Sequence, residues 1–262
     1  VRRLSFHLAL IALAPATATA GGFEVAEQTT TSAGTAGAGA ARDDEAGAAV
    51  TNPAATADGA GLRAGVSLLA ARPTLTADAM DGSWHASNDP SWQTPPALAA
   101  SYAEHHWAAG LSVGVPFGSG VAWPTTWPGR FQSTATQITV LRVAPFGAWS
   151  VATTGRWRLA AGPHLDVGTM HIARQLDFID TQGSVAIDLH GVGVGVDAAA
   201  YVTATPDLAL GLTYRSRTHL ALSGGANFTA PTAFATKTPD QQATTSLTLP
   251  DRVTLGARWR RD

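Results

Sequence analysis

The 262-residue chain contains no cysteine. That excludes a disulfide framework and any thiolate metal site. Charge is also scarce: 14% of residues are Asp, Glu, Lys or Arg, against about a quarter in an ordinary soluble protein. The net charge of -2 argues against a nucleic-acid partner. Long hydrophobic runs are missing as well. Although 45% of residues are hydrophobic, no stretch after the first twenty approaches the roughly eighteen apolar residues of a membrane-crossing helix. The apolar residues must be deployed in some other way.

The chain opens with an export signal. Arg2 and Arg3 give a basic start, Leu8 to Leu13 a short apolar core, and Ala18-Thr19-Ala20 an A-x-A cleavage site before Gly21. Residues 1–20 therefore read as a secretory signal peptide. The apolar core is too short to serve as a membrane anchor.

From residue 60 onward the apolar period is two. In "WAAGLSVGVPF", Trp107, Ala109, Leu111, Val113, Val115 and Phe117 fall on one face, with small residues on the other. In "LALGLTYRSRTHLALSG", Leu208, Leu210, Leu212, Tyr214, Leu220 and Leu222 oppose Thr213, Arg215, Arg217 and His219. Such alternation marks strands with one apolar face. About eight strands are expected, at 60–72, 96–104, 107–117, 134–151, 157–172, 185–203, 207–228 and 244–260. They exceed the usual globular strand of about five or six residues and suit a tilted membrane strand of about 9–11. In 185–203 the apolar phase flips at Gly191, which suggests a bulge there.

The connections alternate. Those near 105–106, 152–156 and 204–206 are short, whereas 73–95, 118–133, 173–184 and 229–243 are long and rich in Pro, Asn, Asp, Gly and Trp. That asymmetry is characteristic of outer-membrane barrels. Trp107, Trp149, Trp157, Tyr201 and Trp259 all fall at periplasmic strand ends, with Phe117 and Phe228 at the outer ends, as interfacial aromatic girdles require. The expected fold is an all-β antiparallel transmembrane barrel.

Motifs of enzymes are weak here. Gly110-Leu111-Ser112-Val113-Gly114 matches G-x-S-x-G but sits in an alternating strand with no helix after it, so Ser112 reads as a small lumen residue. Gly191 to Gly195 lacks the helix that a phosphate loop needs. The eight histidines form no ligand cluster: His105-His106 lies in a turn, and His164/Asp166 and Asp188/His190 share polar faces without a third partner. No enzyme activity, cofactor or metal is expected.

Residues 36–57, "AGAGAARDDEAGAAVTNPAATA", are too small-sided to form a core alone. With Gly22-Phe23, the Gly/Ala run from Gly34 to Ala41, Asp43-Asp44 and Asn52-Pro53-Ala54, this region resembles the N-terminal hatch of FadL-like outer-membrane transporters of long-chain fatty acids and other hydrophobic compounds. Three later stretches agree: Pro116-Phe117-Gly118 followed by Trp127, Gly129, Arg130 and Phe131; Gly211-Leu212 with Tyr214-Arg215-Ser216; and "LPDRVTLGARW". The resemblance spans residues 21–260 in the family's order.

It implies a signal peptide at 1–20, a hatch at 21–59 and a partial barrel at 60–262, since the family barrel has about fourteen strands. It implies a monomer in the outer membrane, with membrane lipid and hydrophobic small molecules such as long-chain fatty acids as its partners. The hatch residues would be Asp43, Asp44, Asn52, Pro53 and Ala54. The acidic knot would pair with Arg215, Arg217 or Arg258. Phe117, Trp123, Trp127, Arg130 and Phe131 would capture ligand, and Arg174 would meet a carboxylate. Gly114 and Pro116 would kink the wall for sideways exit, with Asn52-Pro53-Ala54 against the kink. The alternatives are a small non-transporting barrel serving as anchor or adhesin, a non-functional truncated relative, and an outer-membrane hydrolase, for which no nucleophile–base pair is evident.

Overall fold

The computed structural model describes residues 22–151 and 156–260; the signal-peptide expectation lies outside them. Two short helices, α1 (Thr30–Gly34) and α2 (Ala48–Thr51), and a 3-10 turn (Pro53–Thr56) come first. The strands follow: β1 (Gly61–Leu68), β2 (Thr76–Asp78), β3 (His85–Ser87), β4 (Pro96–Glu104), β5 (Trp107–Ala122), β6 (Ala135–Ser150), β7 (Trp157–Asp177) and β8 (Gln182–Thr205). β9 (Leu208–Arg215), β10 (Thr218–Thr229), β11 (Gln241–Leu249) and β12 (Arg252–Trp259) complete the set. β2 and β3 form a side hairpin, and the rest make one antiparallel sheet in the order β1-β4-β5-β6-β7-β8 and onward. β8 pairs with β10 along its upper half and β9 along its lower half; β10 then pairs with β11, and β9 with β12. The wall thus has eight positions. Two of them are interrupted side by side, at Ser216-Arg217 and at Pro250-Asp251. Among the described residues β1 and β12 do not pair, so the sheet is open.

The alternation works inside out in the lower half of the wall, the end that carries the tryptophans. Trp107, Trp149, Trp157 and Trp259 are exposed there, as are Leu62, Val66 and Leu210, with Val194 73% and Leu255 73% exposed. The inner face there is mostly alanine and glycine, with Phe146, Arg158 and Tyr201 set among them. A wall with its large apolar groups outside and its small groups inside is built for lipid. In the upper half the phase inverts. Leu189, Leu220, Leu222 and Leu249 are buried inside, while Thr169, His190, His219 and Thr248 stand on the outer face. A wall segment that stands in water buries its apolar groups inward, as any soluble sheet does.

This inversion corrects several expectations. The stretches 207–228 and 244–260 are not continuous strands; each breaks at the inversion, and Asp251 fastens the break by accepting from the Arg217 amide (3.0 Å), the Arg217 guanidinium (2.9 Å) and the Tyr214 hydroxyl (2.8 Å). There is no bulge at Gly191: β7 and β8 pair in unbroken register from Trp157↔Val202 to Asp177↔Gln182. The flip there is a change of which face is apolar. Besides a register shift at the end of β8, between Thr203 and Thr205, a bulge lies in β5, between Gly114 and Phe117. It turns Phe117 inward to 5% exposure and off the outer girdle. Tyr201 likewise faces inward and is buried. The 173–184 connection is mostly strand, which places Arg174 within β7.

Candidate functional site

Residues 23–59 lie on the concave face of the sheet. Most of the side chains that meet there are small. Ala48, Ala49, Ala54 and Ala55 pack on Ala99, Ala108, Ala148 and Ala160 of the wall in one buried cluster. Gly211 is required by this approach, since a Cβ on it would stand 1.8 Å from the Ala40 carbonyl oxygen. Asn52 is fully buried. Its amide donates to the carbonyls of Ala40 (2.7 Å) and of Ala200 in β8 (3.1 Å), and its oxygen accepts from the Ala54 amide (3.1 Å). Pro53 starts the 3-10 turn with Ala54 buried behind it.

Charge seats this segment. Asp43 accepts from Arg258 of β12 (2.7 Å), from the Tyr201 hydroxyl (3.0 Å) and from Arg158 of β7 (3.4 Å). Its backbone carbonyl accepts from Arg63 of β1 (3.0 Å). One residue therefore ties both free edges of the sheet. Asp44 meets Arg260 (3.2 Å), Arg258 (3.8 Å) and Arg42 (3.2 Å). Burial pushes the Asp43 carboxyl up, but Arg258, Tyr201 and Arg158 outweigh it and hold the group below its ordinary value of 3.8. Of the three arginines expected to meet the acidic knot, Arg258 does so. Arg215 donates to the Val50 carbonyl, and Arg217 turns outward to Asp251.

Above the plug lies a belt of buried charge. Arg142 and Asp166 form a two-pronged pair at 2.7 Å in each prong. His164 reaches Asp197 through Nδ1 and Thr218 through Nε2, both at 2.8 Å. The third partner that the sequence did not reveal comes from β8 and β10. No grouping that could hold a metal ion occurs among the described residues. Higher still, Phe117, Val140, Leu189, Leu220, Leu222 and Leu249 form an apolar cluster, with Phe23 edge-on to Phe117 at 5.6 Å.

The wall is notched beside this cluster. β4 pairs with β5 only from Glu104↔Trp107 to Leu98↔Val113. Past that point the edge of β5 is taken by the chain's own N-terminal segment: the Val25 amide donates to the Pro116 carbonyl (2.8 Å) and the Gly118 amide to the Phe23 carbonyl (2.8 Å). Pro116 brings no N–H of its own to this edge. A Cβ on Gly114 would stand 2.9 Å from the Gln28 amide oxygen. So the kink meets Phe23–Val25 and Gln28, whereas Asn52 turns to β8 instead. Glu24 then pairs with Arg252 across the open side. This strand-like addition was not legible in the sequence. An open cleft of about 820 Å³ flanks it, lined among others by Val25, Glu27, Leu69, Pro96, Val115 and Val121.

At the outer end, Trp123 stacks on Trp127 (4.5 Å) and Trp127 meets Trp84 of the β2–β3 hairpin edge-on (6.4 Å). Arg130 lies over the Phe131 ring at 4.4 Å. Phe117 is remote in role from this group, since it belongs to the apolar cluster. Arg174 stands exposed at the upper end of β7, on the same face as Asp166.

The whole stretch from residue 11 to 262 matches the family model described as outer membrane protein transport protein (OMPP1/FadL/TodX). The chain belongs to this family. It is a family of transport proteins, not of enzymes, and its members are outer-membrane β-barrels. Among solved structures, a Pseudomonas aeruginosa FadL homologue is 18% identical with a TM-score of 0.73, covering 92% of this chain and 66% of that one. The Ralstonia pickettii toluene transporter TbuX is 18% identical, with a TM-score of 0.66 and coverage of 86% and 66%. The P. putida toluene transporter TodX is 16% identical, with a TM-score of 0.63 and coverage of 82% and 62%. At these identities the likeness is one of fold. The chain spans about two thirds of the length of these proteins. No curated protein sequence matches it.

Proposed function

We propose that this protein serves the uptake of hydrophobic small molecules across the outer membrane, through a plugged wall with a sideways exit. Trp84, Trp123, Trp127, Arg130 and Phe131 collect ligand at the outer end. The cluster around Phe117 receives it. Asp43, Asp44, Asn52, Pro53 and Ala54 hold the plug beneath, and the kink at Gly114 and Pro116 opens the wall once Phe23–Val25 lets go. The observation that carries this reading is the upper edge of β5, left by β4, covered at the kink by Phe23–Val25 and opening on the cleft. The protein acts as a monomer with membrane lipid around it. A second reading, long-chain fatty acids as the ligand, is favoured by Arg174, exposed at the upper end of the inner face.

Glu24 and Phe117 face each other as an isolated bridge, which suits a reversible lock. In cells expressing Glu24→Cys/Phe117→Cys, oxidation is expected to stop uptake of labelled toluene, and reduction to restore it. Uptake unaffected by oxidation would place the exit elsewhere.

A further inference from the structure

Resting on the uptake reading and against its fatty-acid alternative, we propose that the passage favours uncharged hydrophobic molecules and turns anionic ones away, and that Glu27 sets this preference. The inner arginines are already committed. Arg142 is paired with Asp166, Arg158 and Arg258 with Asp43, Arg252 with Glu24, and Arg215 with the Val50 carbonyl. Beyond them the inward positions of the wall are uncharged: Met170 and Ile172 in β7, Ile187 and Leu189 in β8, Leu220 and Leu222 in β10. A carboxylate entering there loses its water and finds no cation in exchange, which is costly.

The exit adds a charge of the wrong sign. The cleft at the notch is lined by Glu24, Glu27 and Arg72. Glu24 is engaged by Arg252. Glu27 makes no ion pair among the described residues and is half-buried beside Val115, at the kink. Arg72 is exposed on the loop after β1. Glu27 is therefore the charge beside the kink that no arginine engages among the described residues, while Arg72 lines the same cleft from an exposed position. Arg174 cannot escort a carboxylate there. The cleft residue Thr139 pairs with Thr169, about five residues below Arg174 on β7, roughly 16 Å along the strand.

The test uses the full chain in detergent and two probes with the same ring, 2-naphthalenemethanol and 2-naphthoate, titrated at neutral pH and low salt by their fluorescence. The neutral probe is expected to bind at least about tenfold more tightly. A unit charge near 7 Å at an effective dielectric of about 20, partly screened, gives about that factor. Glu27→Gln should shrink the ratio several-fold and Glu27→Lys should shrink it further or reverse it. Equal binding of both probes, or a ratio unmoved in both variants, overturns the charge selection while leaving the uptake reading intact. If neither probe binds the unaltered protein, the uptake reading fails and this inference fails with it.

Discussion

Asp43→Asn removes the charge that joins the plug to both edges of the sheet and alters almost nothing else in shape. The carboxylate faces Arg258 at 2.7 Å and Arg158 at 3.4 Å, with the three side chains 25%, 19% and 11% exposed in that order. Breaking a fully buried pair costs about 3–5 kcal/mol and an exposed one about 0–1 kcal/mol. At these exposures, and with Asp58 still holding Arg158 at 2.8 Å, about 2 kcal/mol is expected. That raises the population of the unseated plug by about 30-fold. Hydrogen exchange of the amides of Ala48–Thr56 reads this directly: exchange should quicken in the plug and stay unchanged in β7 and β8. The same group sets an acid limit. Its carboxyl titrates below the ordinary 3.8 when seated, so its contribution is complete above that value and is lost as pH falls through the lower, seated one. The Asn variant should show no such loss. If its plug exchanges like the parent's, alanine packing alone holds the plug and the charge argument is wrong.

Asn52→Ala leaves two carbonyls and one amide without partners in a buried place. A loss of about 2–3 kcal/mol is expected, seen as a lower thermal transition of the plug. Arg142→Met strands the buried Asp166 and should cost about 3–5 kcal/mol, whereas adding Asp166→Leu should recover most of it. Denaturant titration of the two variants checks both halves of that statement.

Much of the wall was legible because a period of two is written residue by residue. All eight wall positions fall where alternation placed them, and Arg258 was among the partners expected for the acidic knot. What alternation does not state is which face looks inward. The same leucine pattern reads outward at Leu210 and inward at Leu220, because the two residues at Ser216-Arg217 reverse the phase between them. Phe117 was assigned to the outer girdle because alternation does not show the extra residue at Val115-Pro116. The His164–Asp197–Thr218 contact joins three strands, and only their register brings those side chains together. The pairing of Phe23–Val25 with β5 required knowing that β4 ends early and leaves an edge free.

The bulge at Val115-Pro116 ties these features together. One extra residue in β5 turns Phe117 from the outer face to the apolar cluster. The proline it contains offers no donor to a neighbouring strand, so the edge can accept a temporary partner instead of a permanent one. Across the ladder Phe117, just past the bulge, lies in line with Val140, Gly168 and Gly191, where β7 and β8 change from apolar-outside to apolar-inside. On the proposed route an opening there joins the inner apolar cluster to the lipid-facing band on the upper side of the buried charge at Arg142, His164 and Asp166. A hydrophobic molecule leaving there exchanges one apolar surface for another. Had the bulge lain two residues lower, the opening would have faced that charged belt, and desolvation would have closed the route to a hydrophobic ligand.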